Sequence, residues 1–402
     1  VTTIVDVRLV PARLARSDRG FVAVVALTFA TSAGGSAVIP ILPAIRGAFG
    51  LSGLQTGALL SAETLVMLAT AVPVGLVAGR VGAHRLLGAC AVLLPVSMLG
   101  QALAGGLASL LLARGLFGLC FGILWTVGPA VAAGGGRGVG GTGRLMAASG
   151  AGWLVGPALS GAAADAFGYR MPFFAIAVLT VPLALAVVLG LDRAPTEVAP
   201  SGRLRDAMAL TRRDRSIAGV TVTSALLGVV TGVSGLIAPL ALAANGLSAS
   251  AIGIVVALSA VVWICAGALS SRVPAVRIDA RLVGAAVAAL GLTWLIPVFS
   301  LSTLAIVGFL LVSAAFRSLL GALIFIIPVR LAVASEAHAA PVIGVMNAAW
   351  AAMALAAPLA AGIVVGGADV RWAFFCTAVV GLGVAAWILV PRPRVPAAPQ
   401  PA

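Results

Sequence analysis

Gly143-Arg-Leu-Met-Ala-Ala-Ser-Gly-Ala-Gly-Trp-Leu-Val-Gly-Pro-Ala-Leu-Ser-Gly161 is the stretch on which the fold turns. It is apolar enough to cross a bilayer, yet Gly143, Gly150, Gly152, Gly156 and Gly161 fill it with glycine, and Pro157 interrupts its hydrogen bonding. In water such a helix is poor, because a glycine costs about 1 kcal/mol and a proline about 3 kcal/mol against alanine. In lipid the backbone must bond to itself, and small residues let a neighbouring helix approach closely. The stretch therefore reads as a transmembrane helix built for tight contact.

The rest of the chain agrees. Its 402 residues are 61% hydrophobic and 9% charged, with a mean hydropathy of +1.18, whereas a soluble domain carries about 25% charged residues. All 25 basic residues are arginine, against 11 acids, for a net charge of +14. These arginines flank apolar segments instead of forming one patch, so topology in a lipid bilayer explains them and nucleic acid is not an expected partner. Cys90, Cys120, Cys265 and Cys376 sit in apolar stretches without paired spacing and read as small buried side chains. His84 and His338, the only histidines, fall in expected loops. No metal and no cofactor is expected, and no Walker sequence marks a primary pump.

Windows of about 20 apolar residues fall near 21–44, 54–78, 84–104, 107–132, 143–164 and 172–191, then near 217–243, 250–270, 281–300, 303–329, 340–366 and 371–391. The first follows Arg8, Arg13, Arg16 and Arg19 and is too long for a secretory h-region, so it reads as an uncleaved first helix. With the N-terminus inside, twenty arginines lie in cytoplasmic segments and only Arg46, Arg170 and Arg371 outside. That split obeys the positive-inside rule and places both termini in the cytoplasm of a cell-membrane protein.

The halves repeat. Pro43 and Ser52 match Pro239 and Ser248 at an offset of 196, with Gly-Leu-Ser at 50–52 and 246–248. Pro157, Arg170 and Phe173-Phe174 match Pro358, Arg371 and Phe374-Phe375 at an offset of 201. The expected fold class is an all-α membrane protein of twelve helices in two six-helix bundles, related by an axis along the membrane normal. The expected units are 1–191, a cytoplasmic linker 192–216 with a basic surface helix, and 217–402.

Three motifs carry a resemblance to the major facilitator superfamily over residues 20–391. Gly143, Gly152, Gly156, Pro157 and Gly161 resemble the fifth-helix signature of its antiporters, with Ser160 in place of one closing glycine. Gly75, Arg80, Gly82 and Arg85 resemble the gating motif between its helices 2 and 3. Gly79 stands where that family has an acid and Ala83 where a basic residue is usual. The charge network that locks the family's inward gate is therefore not carried over intact. Arg114 followed by Gly118 resembles a helix-4 motif that the family's exporters use in proton coupling. The resemblance implies the drug:proton antiporter branch, alternating access and a monomer.

The residues themselves point to chemistry inside the membrane. Arg114 and Glu63 lie at similar depth, roughly 10 and 13 Å from the outer face, so an ion pair is expected; a static structural pair is the plainer alternative. Glu63 is the only acid well inside a span, which makes it the leading proton carrier, with Arg114 as its partner. Asp165 is the fallback, although with Arg170 it reads as shaping a loop, as Asp369 and Arg371 do in the other half. Arg317 lies roughly 21 Å into helix 10, and in the resembled family helices 4 and 10 line the central cavity. Arg114 and Arg317 are thus candidate substrate-binding residues, and two cations against one acid favour a neutral or anionic small molecule. Trp125, Trp153, Trp263, Trp294 and Trp350 read either as stacking partners or as packing and interfacial residues. Asn347 and Pro358 mark an expected discontinuity in helix 11.

The expected function is proton-coupled efflux of a small organic compound. An organic-anion importer or exchanger using Arg114 and Arg317 is the alternative. A membrane enzyme or sensor without transport is remote, because no span holds a cluster of His, Asp and Glu and no signalling domain is visible.

Overall fold

The computed structural model of the chain describes residues 18–134, 137–190, 208–209, 211, 214–270, 280–334 and 336–390. The expected linker 192–216 lies almost wholly outside them. Twelve long helices run through the described residues, which contain no strand. They are α1 (Asp18–Phe49), α2 (Gly53–Val81), α3 (Ala83–Ala102), α4 (Leu107–Ala133), α5 (Gly138–Phe167) and α6 (Met171–Gly190). The second set is α7 (Arg215–Ala244), α8 (Ala249–Ser270), α9 (Ala280–Thr293, prolonged by a turn at Ile296–Phe299), α10 (Thr303–Ala334), α11 (Glu336–Gly367) and α12 (Arg371–Leu389).

Eleven of these helices are long and apolar enough to cross a membrane. The twelfth, α5, has the length at 30 residues, and its glycines, serines and Pro157 hold down its hydropathy. Prolines sit inside α1 to α7, at Pro40, Pro43, Pro73, Pro95, Pro129, Pro157, Pro182 and Pro239. Such prolines survive in membrane helices because neighbouring helices and local adjustments re-satisfy the freed carbonyls.

The repeat is visible in local geometry. Gly50 and Gly246, offset by 196, both take positive φ (59° and 83°) and end one helix before the next begins. A side chain is strained in that region, so glycine is the residue that fits. Ser52 then caps α2 in a full capping box with Gln55, and Ser248 accepts from the Ala251 amide at 3.3 Å in α8. Gly82 (φ 87°) makes the turn from α2 to α3.

Helices α1–α6 contact mainly one another, and so do α7–α12. Two seams join the sets, α2 against α11 and α5 against α8. In the second set Trp294 is fully buried, 4.9 Å from the Phe309 ring and 5.7 Å from the Phe374 ring, which makes it a packing residue.

Several expectations change. Helix α11 runs unbroken through Asn347 and Pro358, because its proline abuts α2 and α7 and needs no break to be accommodated. His84 lies in the first turn of α3, and His338 within α11, not in loops. Cys90 and Cys120 are buried, but Cys265 and Cys376 are exposed, since a sulfhydryl is apolar enough to face lipid.

Candidate transport site

Helix α4 carries glycines at Gly115, Gly118 and Gly122, three and four residues apart, so they share one face. That face lies against α2. A Cβ on Gly118 would stand 3.0 Å from the Glu63 Cα and 2.9 Å from its carbonyl carbon; one on Gly122 would stand 2.6 Å from the Thr70 hydroxyl. On Gly115 it would meet Val66 at 3.2 Å. Only glycine permits this approach, and the approach brings Arg114, one turn from Gly118, onto Glu63. Their side chains form an ion pair with a hydrogen bond from Arg114 Nη2 to Glu63 Oε2.

The pair is enclosed. Arg114 is 2% exposed and Glu63 16%. Helix α1 covers it at Gly34 and Gly35, where a Cβ on Gly35 would lie 3.5 Å from Glu63 Oε1 and 3.4 Å from the Phe117 ring. The Arg114 guanidinium also lies 5.4 Å from the Phe117 ring centroid, within cation–π range. Arg114 Nε and Nη1 have no hydrogen-bond partner, so the guanidinium has capacity for another acceptor. Phe117, Phe121 and Trp125 continue down α4 as a ladder with ring spacings of 6.2 and 5.8 Å.

Arg317 is not part of this cluster. It falls on a stripe of α10 whose other members, Ile306, Leu310, Ser313, Leu320 and Ile324, are all buried. Its Nε is buried without a hydrogen-bond partner, and no acid pairs with it among the described residues. A cation without an acid beside it is costly within a membrane helix. Trp153 and Trp263 are exposed and lie within α5 and α8, away from the helix ends where interfacial residues are expected.

The fifth-helix glycines divide by face. Gly152 and Gly156 lie against α1, where a Cβ would reach the Ser32 Cβ at 2.7 Å and the Ala33 Cα at 2.8 Å respectively. Ser160 donates to the Ala37 carbonyl at 2.6 Å, so the serine that replaces glycine still serves the same contact. Pro157 and Gly161 face α8 across the seam, at Gly253 and Ala249. Gly143 meets nothing within 4 Å. Of the residues of the expected gating motif, Gly82 makes the turn, a Cβ on Gly75 would lie 3.9 Å from Thr126 of α4, and Arg80 and Arg85 are exposed without an ion-pair partner among the described residues.

Asp165 departs from its expected loop role. It accepts from the backbone amides of Ala249 (3.1 Å) and Ser250 (2.8 Å), the first residues of α8. Arg170 instead donates to the Ala104 carbonyl at 3.1 Å. In the other half, the Arg371 side chain does lie beside Asp369, at 4.0 Å. The two offsets align Asp165 with Gly366 and Ala249 with Gly53, but nothing in the sequence brings the two positions together.

The Major Facilitator Superfamily profile matches residues 24–340. No curated protein matches the sequence. Among solved structures, a bacterial homolog of the human lysosomal transporter Spinster, inward-facing and unoccupied, is similar at 14% identity with a TM-score of 0.74. That match covers 92% of this chain and 95% of that one. The same homolog in its inward-facing, occupied conformation gives a TM-score of 0.75 at 15% identity over 92% and 95% of the two chains. The nucleoside transporter NupG is similar at 14% identity and a TM-score of 0.73, over 93% of this chain and 98% of that one.

Proposed function

From the premise that this chain belongs to the Major Facilitator Superfamily and is a secondary transporter, not an enzyme, we propose that it exports a small neutral or anionic organic compound in exchange for protons. The buried Glu63–Arg114 pair carries this reading. It is the one ion pair inside the membrane helices among the described residues, and it couples a group that can take up a proton to one that cannot. Protonation of Glu63 dissolves the charge attraction and frees Arg114, whose remaining donors are already without partners. In the ionised state, substrate hydrogen-bond donors compete with the proton for the Glu63 carboxylate. Binding of substrate and binding of the proton become alternatives at one site, which is the requirement for exchange. The fifth-helix glycines support the drug:proton antiporter branch. They hold α5 against α1 on one face and against α8 on the other, so one small-residue helix links a bundle's interior to the seam.

In this reading the units 1–191 and 217–402 rock about the linker 192–216, in a plasma membrane, as a monomer with both termini in the cytoplasm. Both seams are tight where α2 and α8 begin. Further along, a Cβ on Gly75 or Gly267 would meet only its own half, at Thr126 (3.9 Å) and Ser318 (3.0 Å), while one on Gly150 would still meet Ile264 of α8 at 3.3 Å.

Arg317 supports the second reading, an organic-anion importer or exchanger. Its unpaired cation is the better seat for a substrate anion than Arg114, which Glu63 already neutralises.

The test is transport by purified protein in proteoliposomes, with a panel of neutral and anionic compounds under an imposed pH gradient. Glu63→Gln should still bind compounds and lose gradient-driven movement. Retained coupling in Glu63→Gln would remove Glu63 from the mechanism. Transport indifferent to pH but abolished by Arg317→Gln would favour anion exchange.

A further inference from the structure

We propose that Asp165 is a gating residue, a one-sided polar latch that holds the transporter shut at the end where α2 and α8 begin. This rests on the alternating-access reading above and adds the residue that sets its balance.

The two seams are copies of each other. Gly57 abuts the Pro358 carbonyl, and Gly253, 196 residues on, abuts that of Pro157, which is 201 residues before Pro358. The same offsets turn the contact of Gly53 with Gly362 into that of Ala249 with Gly161. These are backbone-on-backbone contacts of small residues, broad and weakly directional; two turns into α2 the Ser61 hydroxyl also donates to the Leu355 carbonyl at 2.7 Å. Continuing the register one turn, the counterpart of Asp165 is Gly366, where a Cβ would lie 4.0 Å from the Gly53 amide nitrogen. The α5–α8 seam therefore has a carboxylate where the α2–α11 seam has a hydrogen atom.

That carboxylate has a defined task. The first amides of a helix have no partner within it. Asp165 accepts from the first two of α8, and the helix dipole there favours a negative charge. The acid and the amides lie on opposite halves of the molecule, 84 and 85 residues apart. Separating the halves at this end breaks both bonds together, while closing it at no other place makes them. At the copied seam α2 depends on its own Ser52–Gln55 box, and the amides of Gly53 and Leu54 receive nothing across the boundary.

The experiment reads the closed end directly. Spin labels at Gly105→Cys and Leu304→Cys, one on each half at this end, report its opening by double electron–electron resonance with Cys265 and Cys376 replaced by serine. Asp165→Ala is expected to raise the open-to-closed ratio about fivefold, the usual effect of removing an N-cap acceptor. Asp165→Asn, which keeps an oxygen but loses the charge, should fall between. Gly366→Asp in the Asp165→Ala background supplies the copied latch to Gly53 and Leu54 and should restore the closed population. A residue that matters only for folding would not be replaced from 201 positions away. Gly253→Leu, which wedges the seam at the Pro157 carbonyl, is the control that opens the end by bulk. If Gly253→Leu opens it and Asp165→Ala leaves the ratio unchanged, the latch is refuted while alternating access stands. If neither variant changes the distances, the alternating-access reading fails and the latch with it.

Discussion

At the scale of single residues, the site is decided by what a charge can find in a place without water. Arg114 is 2% exposed and finds Glu63; Arg317 finds no acid. Breaking a buried pair by truncating one member strands the other, at a cost of about 3–5 kcal/mol. Glu63→Ala is therefore expected to lower the thermal unfolding midpoint in detergent by more than Glu63→Gln, which keeps a hydrogen-bond acceptor for Arg114. Equal midpoints for the two would mean that the acceptor kept by Gln contributes nothing and that the loss is one of charge compensation alone. Depth along two helices was legible in the sequence and led to this pair correctly. The isolation of Arg317 was not legible, because depth says nothing about the direction in which a side chain leaves its helix.

At the scale of elements, glycine positions differ sharply in what they allow, although they look alike in sequence. A Cβ on Gly118 falls 2.9 Å from the Glu63 carbonyl carbon, while Gly143 has nothing within 4 Å. Gly118→Ala must push α4 from α2, and overpacking of this kind costs about 1–3 kcal/mol; it should also impair coupling, because Arg114 moves with the helix. Gly143→Ala removes a flexible position without a clash and should leave stability unchanged or raised by about 0.4–1 kcal/mol. Denaturation of the two variants side by side distinguishes a packing motif from a compositional one. A loss in Gly143→Ala as large as in Gly118→Ala would contradict the division of faces. The motif was recognisable from spacing alone, but its split between α1 and α8 follows from the 100° turn per residue and from which helices stand on either side.

At the scale of the whole molecule, two pseudo-equivalent seams hold the halves together, and their polar contacts make them unequal: Asp165 on the first amides of α8 at one, the Ser61 hydroxyl on the Leu355 carbonyl at the other. Burial disfavours the Asp165 carboxylate, but hydrogen bonds from Ser250, Ser248 and Ala249 together outweigh it and hold the carboxyl below its ordinary value. The latched state thus binds fewer protons than the open one. Latching is complete above the ordinary aspartate value of about 3.9 and is lost as pH falls through and below it. The label distances should therefore be constant between about pH 6 and 8 and shift toward opening only below about pH 4. A midpoint near neutrality would assign the titration to another group. Rocking about the seams also predicts that Gly253→Leu and Gly57→Leu, at copied positions, bias the same end in the same direction.

The sequence by itself determined the membrane class, the order and approximate bounds of the helices, the internal repeat and the family. Each of these follows from quantities that accumulate along the chain: hydropathy over about 20 residues, arginine bias between segments, and motif spacing at offsets of 196 and 201. The tertiary structure alone decided that α5 is shared between α1 and α8, that α11 stays continuous through Pro358, that Arg317 meets no acid among the described residues and that Asp165 caps α8. Those outcomes depend on the rotation of each helix about its axis and on the register between helices far apart in sequence. In lipid, where apolar side chains gain little by leaving their surroundings, rotation and register are set by the places where backbones can touch.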